Sequence, residues 1–365
     1  MKPLDISQNL FMRYENTQIV NHYYGLLAIY ALAQTAVESR SKRLLKKCID
    51  LLNLYPDRVE HPRYNFENYR AGGNGKAWLV MMEAMGKLEE GFGFSNEQKE
   101  IVREYAEKTM QAPKDRDGTL CMPSRSELEQ IWIDVVTAVT PYMLFAGLAF
   151  NEERYIDFAA EQCFKMYEVF LDPNCGLLHQ SRGFMEDKEA FSEDHWSRGN
   201  GWGYLGLAEL VQYLPKDSPH RAKAEKYFKD LSAAMLRYQG PNGLWRQEMT
   251  VDTCWEESSG TGLILYGYGI GLRLGLLDLE KYYDAFVKGI NGLWNLCINE
   301  DFSTEKSCPG CLCPGSGKTK GTIYAYIHEK QPVRDEPHSY GCIMLAMVEA
   351  HRNGIEDLTR TKGGN

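Results

Sequence analysis

Helical periodicity along almost the whole chain constrains the fold more than any other feature of this sequence. In segment 41–54 the apolar residues recur at the three- and four-residue intervals of one helix face, at Leu44, Leu45, Cys48, Leu51 and Leu52. About twelve segments of this kind are predicted, and no convincing run of alternating strand pattern separates them. They cover residues 6–14, 19–38, 41–54, 76–89, 95 onwards, 135–150, 152–171, 201–213, 218 onwards, 258–274, 279–297 and 340–352.

The connections between these segments repeat. "DRDGTLCMPSR", "DPNCGLLHQSR" and "GPNGLWRQEM" share a polar turn, a glycine, an apolar pair and a polar exit, with glycines at Gly118, Gly176 and Gly243. The interval between successive glycines is about the length of one helix pair with its loops, which indicates an αα-hairpin as the repeat unit. About six hairpins closing in a ring form an all-α (α/α)6 barrel, and an open α-solenoid is the alternative. Long Gly- and Trp-rich loops on alternate connections favour the closed ring. Because no Pro/Ser-rich linker divides the chain, we expect one domain over residues 1–365.

Charge, hydropathy and cysteine patterns argue against several kinds of partner. The formal net charge is −9 without a basic cluster, so we expect no nucleic-acid partner. The longest apolar run, 135–150, is too short to span a bilayer, and we expect no membrane partner. The first residues lack an apolar signal segment, so we expect a cytoplasmic protein with reduced thiols. "CPGCLC" offers three ligands, Cys308, Cys311 and Cys313, where structural zinc needs four, so we expect no metal. The sequence predicts no particular oligomeric state.

One carboxylate stands alone among hydrophobic residues. In "EQIWIDVVTAVTPYMLFAG", Asp134 follows Trp132 by two residues. Burial raises the pKa of a carboxyl group, and a raised pKa suits a general acid near neutral pH. The same position suits the N-cap of the helix that begins at residue 135, whose backbone N–H groups stabilise an anion. From this segment alone both interpretations stay open.

Two further motifs carry candidate binding residues. In "HWSRGNGW", Arg198 lies between two tryptophans, Trp196 and Trp202, and its guanidinium offers several hydrogen-bond donors in a fixed geometry. The two glycines of the motif allow the backbone to approach a ligand closely. The alternative is a loop at the start of a helix, with Asn200 as its cap and two packing tryptophans. In "GLLHQSR", His179 lies on a loop, where a histidine is more often a surface or packing residue.

Together, "IWID", "GLLHQSR", "HWSRGNGW" and "SSGTGLILYGYGIGLRLG" resemble the glycoside hydrolase families 88 and 105, the unsaturated glucuronyl and unsaturated rhamnogalacturonyl hydrolases. The closing "GTIYAYI…SYGCIMLAMVEA" is similar to the last segment of these families. The motifs follow in the same order over nearly the whole chain, and W-x-R-G-N-G-W is the most specific of them. The resemblance implies the (α/α)6 fold and no cofactor.

The resemblance also implies an unusual hydrolysis. The substrate is an oligosaccharide whose non-reducing end carries an unsaturated uronic acid, with the C4–C5 double bond that a lyase leaves. One aspartate protonates C4 and then helps water to add at C5, after which the hemiketal opens and the next sugar is released. Asp134 matches this catalytic aspartate in its Trp-x-Asp context. By the same matching, the substrate-binding residues are Trp132, His179, Trp196, Arg198 and Trp202. The pattern is nearer family 105, so we expect a rhamnogalacturonan- or pectin-type product as substrate.

One stretch departs from the family pattern. Many members carry a second aspartate in a "Leu-Asp-x-Ile-x-x-Gly-Lys" context, whereas "NFENYRAGGNGKAW" has Arg70 at that position. Glu67 replaces the aspartate from a shifted loop, or this subgroup works without it. Arg70 is itself a candidate substrate-binding residue, pairing with the substrate carboxylate, and a surface arginine is the alternative.

Two other classes of function stay open. One is another (α/α)6 sugar enzyme, either a sugar isomerase or an inverting glycosidase. An inverting glycosidase needs a second carboxylate across the cleft, for which Asp194 and Glu256 are candidates. The other class is a non-catalytic helical-repeat binding protein.

Overall fold

Helices dominate the structure, a computed structural model that describes residues 1–18, 20, 23–53, 78, 83, 96–121 and 129–361. Within these residues the chain forms twelve α-helices. They are α1 (Pro3–Thr17), α2 (Tyr23–Glu38), α3 (Lys42–Asn53), α4 (Asn96–Met110), α5 (Val135–Phe150), α6 (Glu153–Phe170), α7 (Ser197–Tyr213), α8 (Arg221–Leu236), α9 (Ser258–Arg273), α10 (Leu279–Leu296), α11 (Ile323–His328) and α12 (Pro337–Arg352). Four two-residue strands accompany them: β1 (Ile131–Trp132), β2 (Ser181–Arg182), β3 (Trp245–Arg246) and β4 (Glu256–Glu257). Among these helices, none is long and apolar enough to cross a membrane.

Five helices form an inner ring. α2 packs against α12, α12 against α9, α9 against α7, and α7 against α5. Trp78 joins the two ends of this row: its indole stacks on Tyr30 of α2 with 4.1 Å between ring centroids, and meets Phe145 of α5 edge-on at 6.4 Å. α1, α3, α4, α6, α8 and α10 pack on the inner helices from outside. This alternation is the all-α (α/α)6 barrel that the sequence predicts, and the fold prediction is confirmed.

The inner helices begin at the same end of the barrel. A Cβ atom added to Gly260, in the first turn of α9, would lie 2.5 Å from the backbone of Ser197, the first residue of α7. One added to Gly341, in the first turn of α12, would lie 2.9 Å from the backbone nitrogen of Ala28 in α2. Neighbouring helices are therefore parallel and their N-termini share one end. The residues that immediately precede α5, α7, α9 and α12 meet there, namely Asp134, Trp196, Glu257 and Glu336.

The repeated turn is present three times as predicted, and a fourth copy has a residue other than glycine in the left-handed conformation. Gly118, Gly176 and Gly243 have φ angles of +74°, +75° and +85°, which favour glycine because it has no Cβ. Each closes a small antiparallel turn, with bridges Lys114–Leu120, Leu171–Leu178 and Gln239–Trp245. The same bridge joins Ile298 to Thr304, where Phe302 takes the left-handed conformation with φ +59°.

Most predicted helix ends agree with the structure, and the differences have local causes. Asp278 caps α10 as predicted, accepting a hydrogen bond from the backbone N–H of Lys281 at 3.0 Å. Asn151, a candidate cap of α6, instead ends α5 in a left-handed conformation. α7 begins four residues earlier than predicted, at Ser197, so most of "HWSRGNGW" is helix and not loop. The predicted segment 76–89 lies largely outside the described residues.

Candidate active site

A short antiparallel pairing brings two of the predicted motifs together. β1 pairs with β2 so that Ile131 faces Arg182 and Trp132 faces Ser181, and the N–H of Ile133 donates to the carbonyl of Gln180 at 2.9 Å. Asp134 follows this pairing directly along the chain, and His179 directly precedes it on the other segment. The motifs "IWID" and "GLLHQSR" therefore meet at the end of the barrel where the inner helices begin.

Asp134 occupies the N-cap position of α5, but its carboxylate does not cap that helix. Its backbone is already helical, with φ −55° and ψ −26°, and its carbonyl accepts from the N–H of Thr137 at 3.2 Å, while its side chain forms no cap hydrogen bond. A capping aspartate normally has an extended backbone, which lets its side chain reach the first turn. Asp134 therefore holds the N-cap position without a cap hydrogen bond from its half-buried side chain to the backbone of α5.

His179 lies in a setting that keeps its imidazole neutral. The ring is half-buried, stacks on Phe191 with 5.7 Å between centroids, and lies 5.1 Å from the ring of His195. Burial, followed by the positive charge of His195, lowers the pKa of His179 below its usual value. A neutral imidazole has one donor and one acceptor nitrogen, which suits contacts with hydroxyl groups or water.

The segment between β2 and α7 is held by buried charges. His195 Nε2 lies 3.1 Å from Asp172 Oδ2, and its backbone N–H donates to Glu248 Oε2 at 2.7 Å. Burial opposes protonation of this ring, but the contacts with Cys175 and Glu248 prevail and raise the pKa of His195 to about 10. Asp172 of one repeated turn and Glu248 of the next connection are thus joined through a single imidazolium, which fixes the residue before Trp196.

The arginine of "HWSRGNGW" is buried and bonded to the protein. Arg198 is 1% exposed; its Nη1 donates to Ser259 Oγ at 3.1 Å and to the carbonyl of Cys308, and its Nη2 donates to the carbonyl of Pro309 at 2.8 Å. Glu336 Oε2 lies 3.6 Å from Nη1. Burial disfavours the guanidinium charge, yet the nearby Glu336 outweighs it and the pKa of Arg198 is raised. A direct contact of Arg198 with the sugar stays a prediction.

The three tryptophans are also packed. Trp132 is 5% exposed, Trp196 1% and Trp202 3%, so none presents an open ring face in this structure. Trp196 lies under Arg198, whose guanidinium carbon is 4.8 Å from the indole centroid. Trp202 belongs to the main hydrophobic core, and we therefore expect its replacement by alanine to destabilise the fold. Stacking of these rings on a sugar stays a prediction. Arg70 lies outside the described residues.

The segment 308–313, the cysteine loop, packs against Trp196 and Arg198. Cys308 and Cys311 pack with Trp196 and Tyr326 in a small buried cluster, and Gln247 Nε2 lies 3.7 Å and 3.6 Å from the two sulfurs. Cys313 points elsewhere, with its sulfur 3.4 Å from that of Met185. The three thiols are thus directed to two different places, and the loop contributes backbone carbonyls to Arg198.

The two candidates for the second carboxylate of an inverting glycosidase are engaged elsewhere. Asp194 is fully buried and accepts backbone hydrogen bonds from Gln180 at 3.3 Å and Trp196 at 3.2 Å. Burial and then the charge of Glu248 raise the pKa of Asp194 to about 6. Glu256, on β4, accepts from Asn242 Nδ2 at 3.1 Å beside a repeated turn. The geometry of these two residues does not favour an inverting mechanism.

Glu257 is a structural residue of this region that the sequence analysis missed. It is fully buried at the N-cap of α9 and accepts from the N–H of Ser259 at 2.8 Å, from Ser197 Oγ at 3.1 Å and from the N–H of Cys308 at 3.0 Å. One carboxylate therefore joins the starts of α7 and α9 to the cysteine loop. Its position directly before "SSGTG", the start of an apolar helical segment, is the sequence signal that could have identified it.

Comparison with known proteins identifies the family of this chain. The family model described as Glycosyl Hydrolase Family 88 matches residues 92–354. The "Unsaturated 3S-rhamnoglycuronyl hydrolase" of Formosa agariphila is 30% identical over 183 residues, which make up 47% of this chain and 47% of that protein. The "Unsaturated rhamnogalacturonyl hydrolase YesR" of Bacillus subtilis is 23% identical over 160 residues, or 44% of each chain. The chain spans about half the length of these curated relatives.

The fold is similar to solved glycoside hydrolases over almost its whole length. The family 105 glycoside hydrolase of C. acetobutylicum superposes with a TM-score of 0.81 at 21% identity, covering 96% of this chain and 100% of that one. A family 88 glycosyl hydrolase from Bacteroides vulgatus gives a TM-score of 0.72 at 18% identity, with 96% and 98% coverage. At these identities the similarity establishes the barrel fold alone.

Proposed function

Because this chain belongs to glycoside hydrolase family 88, we propose that it removes an unsaturated uronic acid from the non-reducing end of lyase-generated oligosaccharides. The observation that carries the proposal is the placement of Asp134. This residue lies where the inner helices begin, its side chain forms no N-cap hydrogen bond with α5, and it directly follows the β1–β2 pairing that brings "IWID" to "GLLHQSR". A carboxyl group in this setting is able to serve as an acid and then as a base.

In this mechanism Asp134 acts twice. Its carboxylic acid transfers a proton to C4 of the enol ether, which leaves a cation at C5 that the ring oxygen stabilises. Water adds to C5 while the Asp134 carboxylate takes the proton from that water, which restores the acid. The hemiketal opens, the former anomeric carbon becomes an aldehyde, and the next sugar leaves as an alcohol. Neutral His179 is suited to orient the water or a sugar hydroxyl, and Trp132 to flank the reacting ring.

The buried residues of "HWSRGNGW" take a supporting part in this proposal. Arg198 holds the carbonyls of Cys308 and Pro309, and Trp196 packs against the same loop. Together they hold the wall of the site, and any contact that they make with the sugar adds to this role.

For the substrate we propose an unsaturated uronate linked to rhamnose. The names of these two relatives each combine rhamnose with a uronyl group, one of them in a 3S form. A rhamnogalacturonan- or pectin-type product is the expectation from sequence, and a 3-sulfated rhamnose is the variant that the first relative suggests. The chain covers about half of these relatives, so the choice between them rests on the assay below.

The test follows the ultraviolet absorbance of the enol acid, which disappears on hydration. The native protein, Asp134→Asn and Asp230→Asn receive unsaturated disaccharides with rhamnose, 3-sulfated rhamnose, galacturonate or an amino sugar as the second unit. Asp230 is a half-exposed surface aspartate paired with Lys226, and its variant is the matched control. We expect loss of absorbance with the native protein and the control but not with Asp134→Asn. No loss with any substrate would overturn the proposal, and equal rates for Asp134→Asn would remove Asp134 from the chemistry.

A further inference from the structure

Three side chains that commonly bind metal ions meet beside the proposed catalytic groups. Asp172 and Cys175 belong to the second repeated turn, and His195 directly precedes Trp196. Each of the three offers one ligand atom, and these atoms all lie within 4.8 Å of one another. Within the part of the chain that the structure describes, no other group of three such side chains meets this closely. The mechanism above does not use any of these groups.

The turn directs one oxygen of Asp172 towards the other two residues. Oδ1 accepts hydrogen bonds from the backbone N–H of Asn174 at 2.8 Å and from Asn174 Nδ2 at 2.9 Å. Oδ2 lies 3.1 Å from His195 Nε2 and 3.5 Å from Cys175 Sγ. The carbonyl of Cys175 accepts from Arg237, which holds the backbone of this residue in place. One oxygen of Asp172 therefore supports the turn, and the other faces a thiol and an imidazole.

These separations are close to the edges of a tetrahedral zinc site. Zinc binds nitrogen and oxygen at about 2.0–2.1 Å and sulfur at about 2.3 Å, which gives tetrahedral edges of about 3.3 Å between nitrogen and oxygen and about 3.5 Å between sulfur and oxygen. The corresponding distances here are 3.1 Å and 3.5 Å. Thiolate, imidazole and carboxylate are all ligands that zinc accepts.

Glu248 supplies the outer partner that a metal-binding histidine usually has. Its Oε1 lies 3.7 Å from Nδ1 of His195, and its Oε2 accepts the backbone N–H of His195 at 2.7 Å. Glu248 is fully buried, and His195 is 7% exposed. A histidine that binds a metal through one nitrogen normally presents the other to a carboxylate, which fixes the orientation of the ring. Nε2 of His195 is thus directed towards Asp172 and Cys175 by an independent contact on its far side.

We propose that Asp172 Oδ2, Cys175 Sγ and His195 Nε2 bind a zinc ion, with water as the fourth ligand. On binding, the thiol and the protonated imidazole each release a proton to solvent, and the two anionic ligands balance the charge of the dication. The ion ties the turn before His179 to the residue before Trp196, so it holds "GLLHQSR" and "HWSRGNGW" against each other. No metal is predicted from the cysteine loop, and this site departs from that prediction because its ligands come from two other motifs.

The first test is titration of the metal-free protein with Co²⁺, followed by absorption spectroscopy. We expect one equivalent to bind, with the visible bands of tetrahedral cobalt and a thiolate-to-metal charge-transfer band that one equivalent of Zn²⁺ abolishes. Cys175→Ala should lose the charge-transfer band, and its affinity should fall about tenfold or more. His220→Gln is the matched control, because His220 Nε2 lies 2.9 Å from Asp157 Oδ1 in a similar pair without a thiol. Its cobalt spectrum should equal that of the native protein.

The second test is thermal unfolding of the metal-free proteins with and without Zn²⁺. At a hundredfold excess of zinc over its Kd, the Tm of the native protein and of His220→Gln should rise by about 3 °C. The Tm of Cys175→Ala should not change with this amount of zinc. Cys175 is half-buried, so we expect its alanine variant to fold. If it does not fold, Asp172→Asn serves instead, since its amide oxygen can still accept from Asn174 while the anionic ligand is lost.

The outcomes separate this inference from the proposed function. The inference is overturned if the native protein binds no stoichiometric Co²⁺, or if Cys175→Ala keeps the charge-transfer band. It is also overturned if that band disappears in Cys308→Ser/Cys311→Ser instead, since the metal then belongs to the cysteine loop. Metal binding without hydration of any disaccharide would support the inference and overturn the proposed function alone.

Discussion

Replacement of Arg198 tests whether this arginine supports the site or contacts the sugar directly. Arg198→Ala removes a fully buried guanidinium from three hydrogen-bond acceptors and from Glu336, at 3.6 Å. Removing one partner of a buried charge pair costs about 3–5 kcal/mol, because the remaining carboxylate and carbonyls stay desolvated. We therefore expect the free energy of unfolding to fall by about 4 kcal/mol. Arg198→Lys should recover little of it, since an ammonium cannot span the same acceptors.

The assay is urea denaturation followed by both fluorescence and circular dichroism, with KM measured on the folded fraction. The control is Arg334→Ala, which removes a half-exposed arginine from a surface pair with Asp301 and should cost about 1 kcal/mol or less. The reasoning is refuted if Arg198→Ala unfolds like the control while its KM rises by tenfold or more. That result would establish the direct sugar contact expected from the sequence and would mean that the buried hydrogen bonds contribute little.

Three further predictions concern stability. Glu209 is fully buried, and burial raises its pKa from 4.5 to about 7, so the stability that its protonated form contributes is present below pH 4.5 and is lost as the pH rises through 7. Relative to Glu209→Gln, the free energy of unfolding of the native protein should fall by about 3 kcal/mol between these pH values, as measured by urea denaturation; the same pH dependence in both proteins would contradict this. Gly260→Ala forces a Cβ atom to within 2.5 Å of the Ser197 backbone and should cost about 2–3 kcal/mol, whereas Gly310→Ala, with nothing within 4 Å, should unfold like the native protein. Trp202→Ala should lower the unfolding free energy by about 3–5 kcal/mol; native stability with weakened substrate binding would show instead that its ring faces the sugar.

The barrel could be predicted because its signals are local. Apolar spacing of three and four residues identifies each helix without knowledge of its partners, and a turn glycine is required wherever φ is near +75°. The fourth turn escaped prediction because Phe302 adopts the left-handed conformation that the other copies assign to glycine. A bulky residue there is rare, and the sequence alone offers no reason to expect it.

The site was predicted in part, because the same residues suit a loop and a packed helix. Gly199 and Gly201 suggested a flexible loop, but a Cβ atom at these positions would lie 2.9 Å from Trp196 and 2.8 Å from Leu263, respectively. Here the glycines allow close packing of α7, which a sequence pattern does not distinguish from flexibility. The acceptors of Arg198 lie more than a hundred residues further along the chain, at Cys308 and Pro309, so its burial could not be inferred from its own motif.

The pairing of β1 with β2 has a consequence for how such a chain tolerates change. Between the two strands lies a whole helical hairpin, α5 and α6, whose ends are held in register at Ile133 and Gln180. Lengthening the turn near Asn151 does not change that register, so we expect insertions at the outer tip of the hairpin to be tolerated. Deleting Ile133 has the opposite effect, since it removes the N–H group that bonds to the carbonyl of Gln180 and shifts Asp134 relative to β2. Tolerance to insertion is thus expected to be high at the rim of the hairpin and lowest at its base, within a few residues of Asp134.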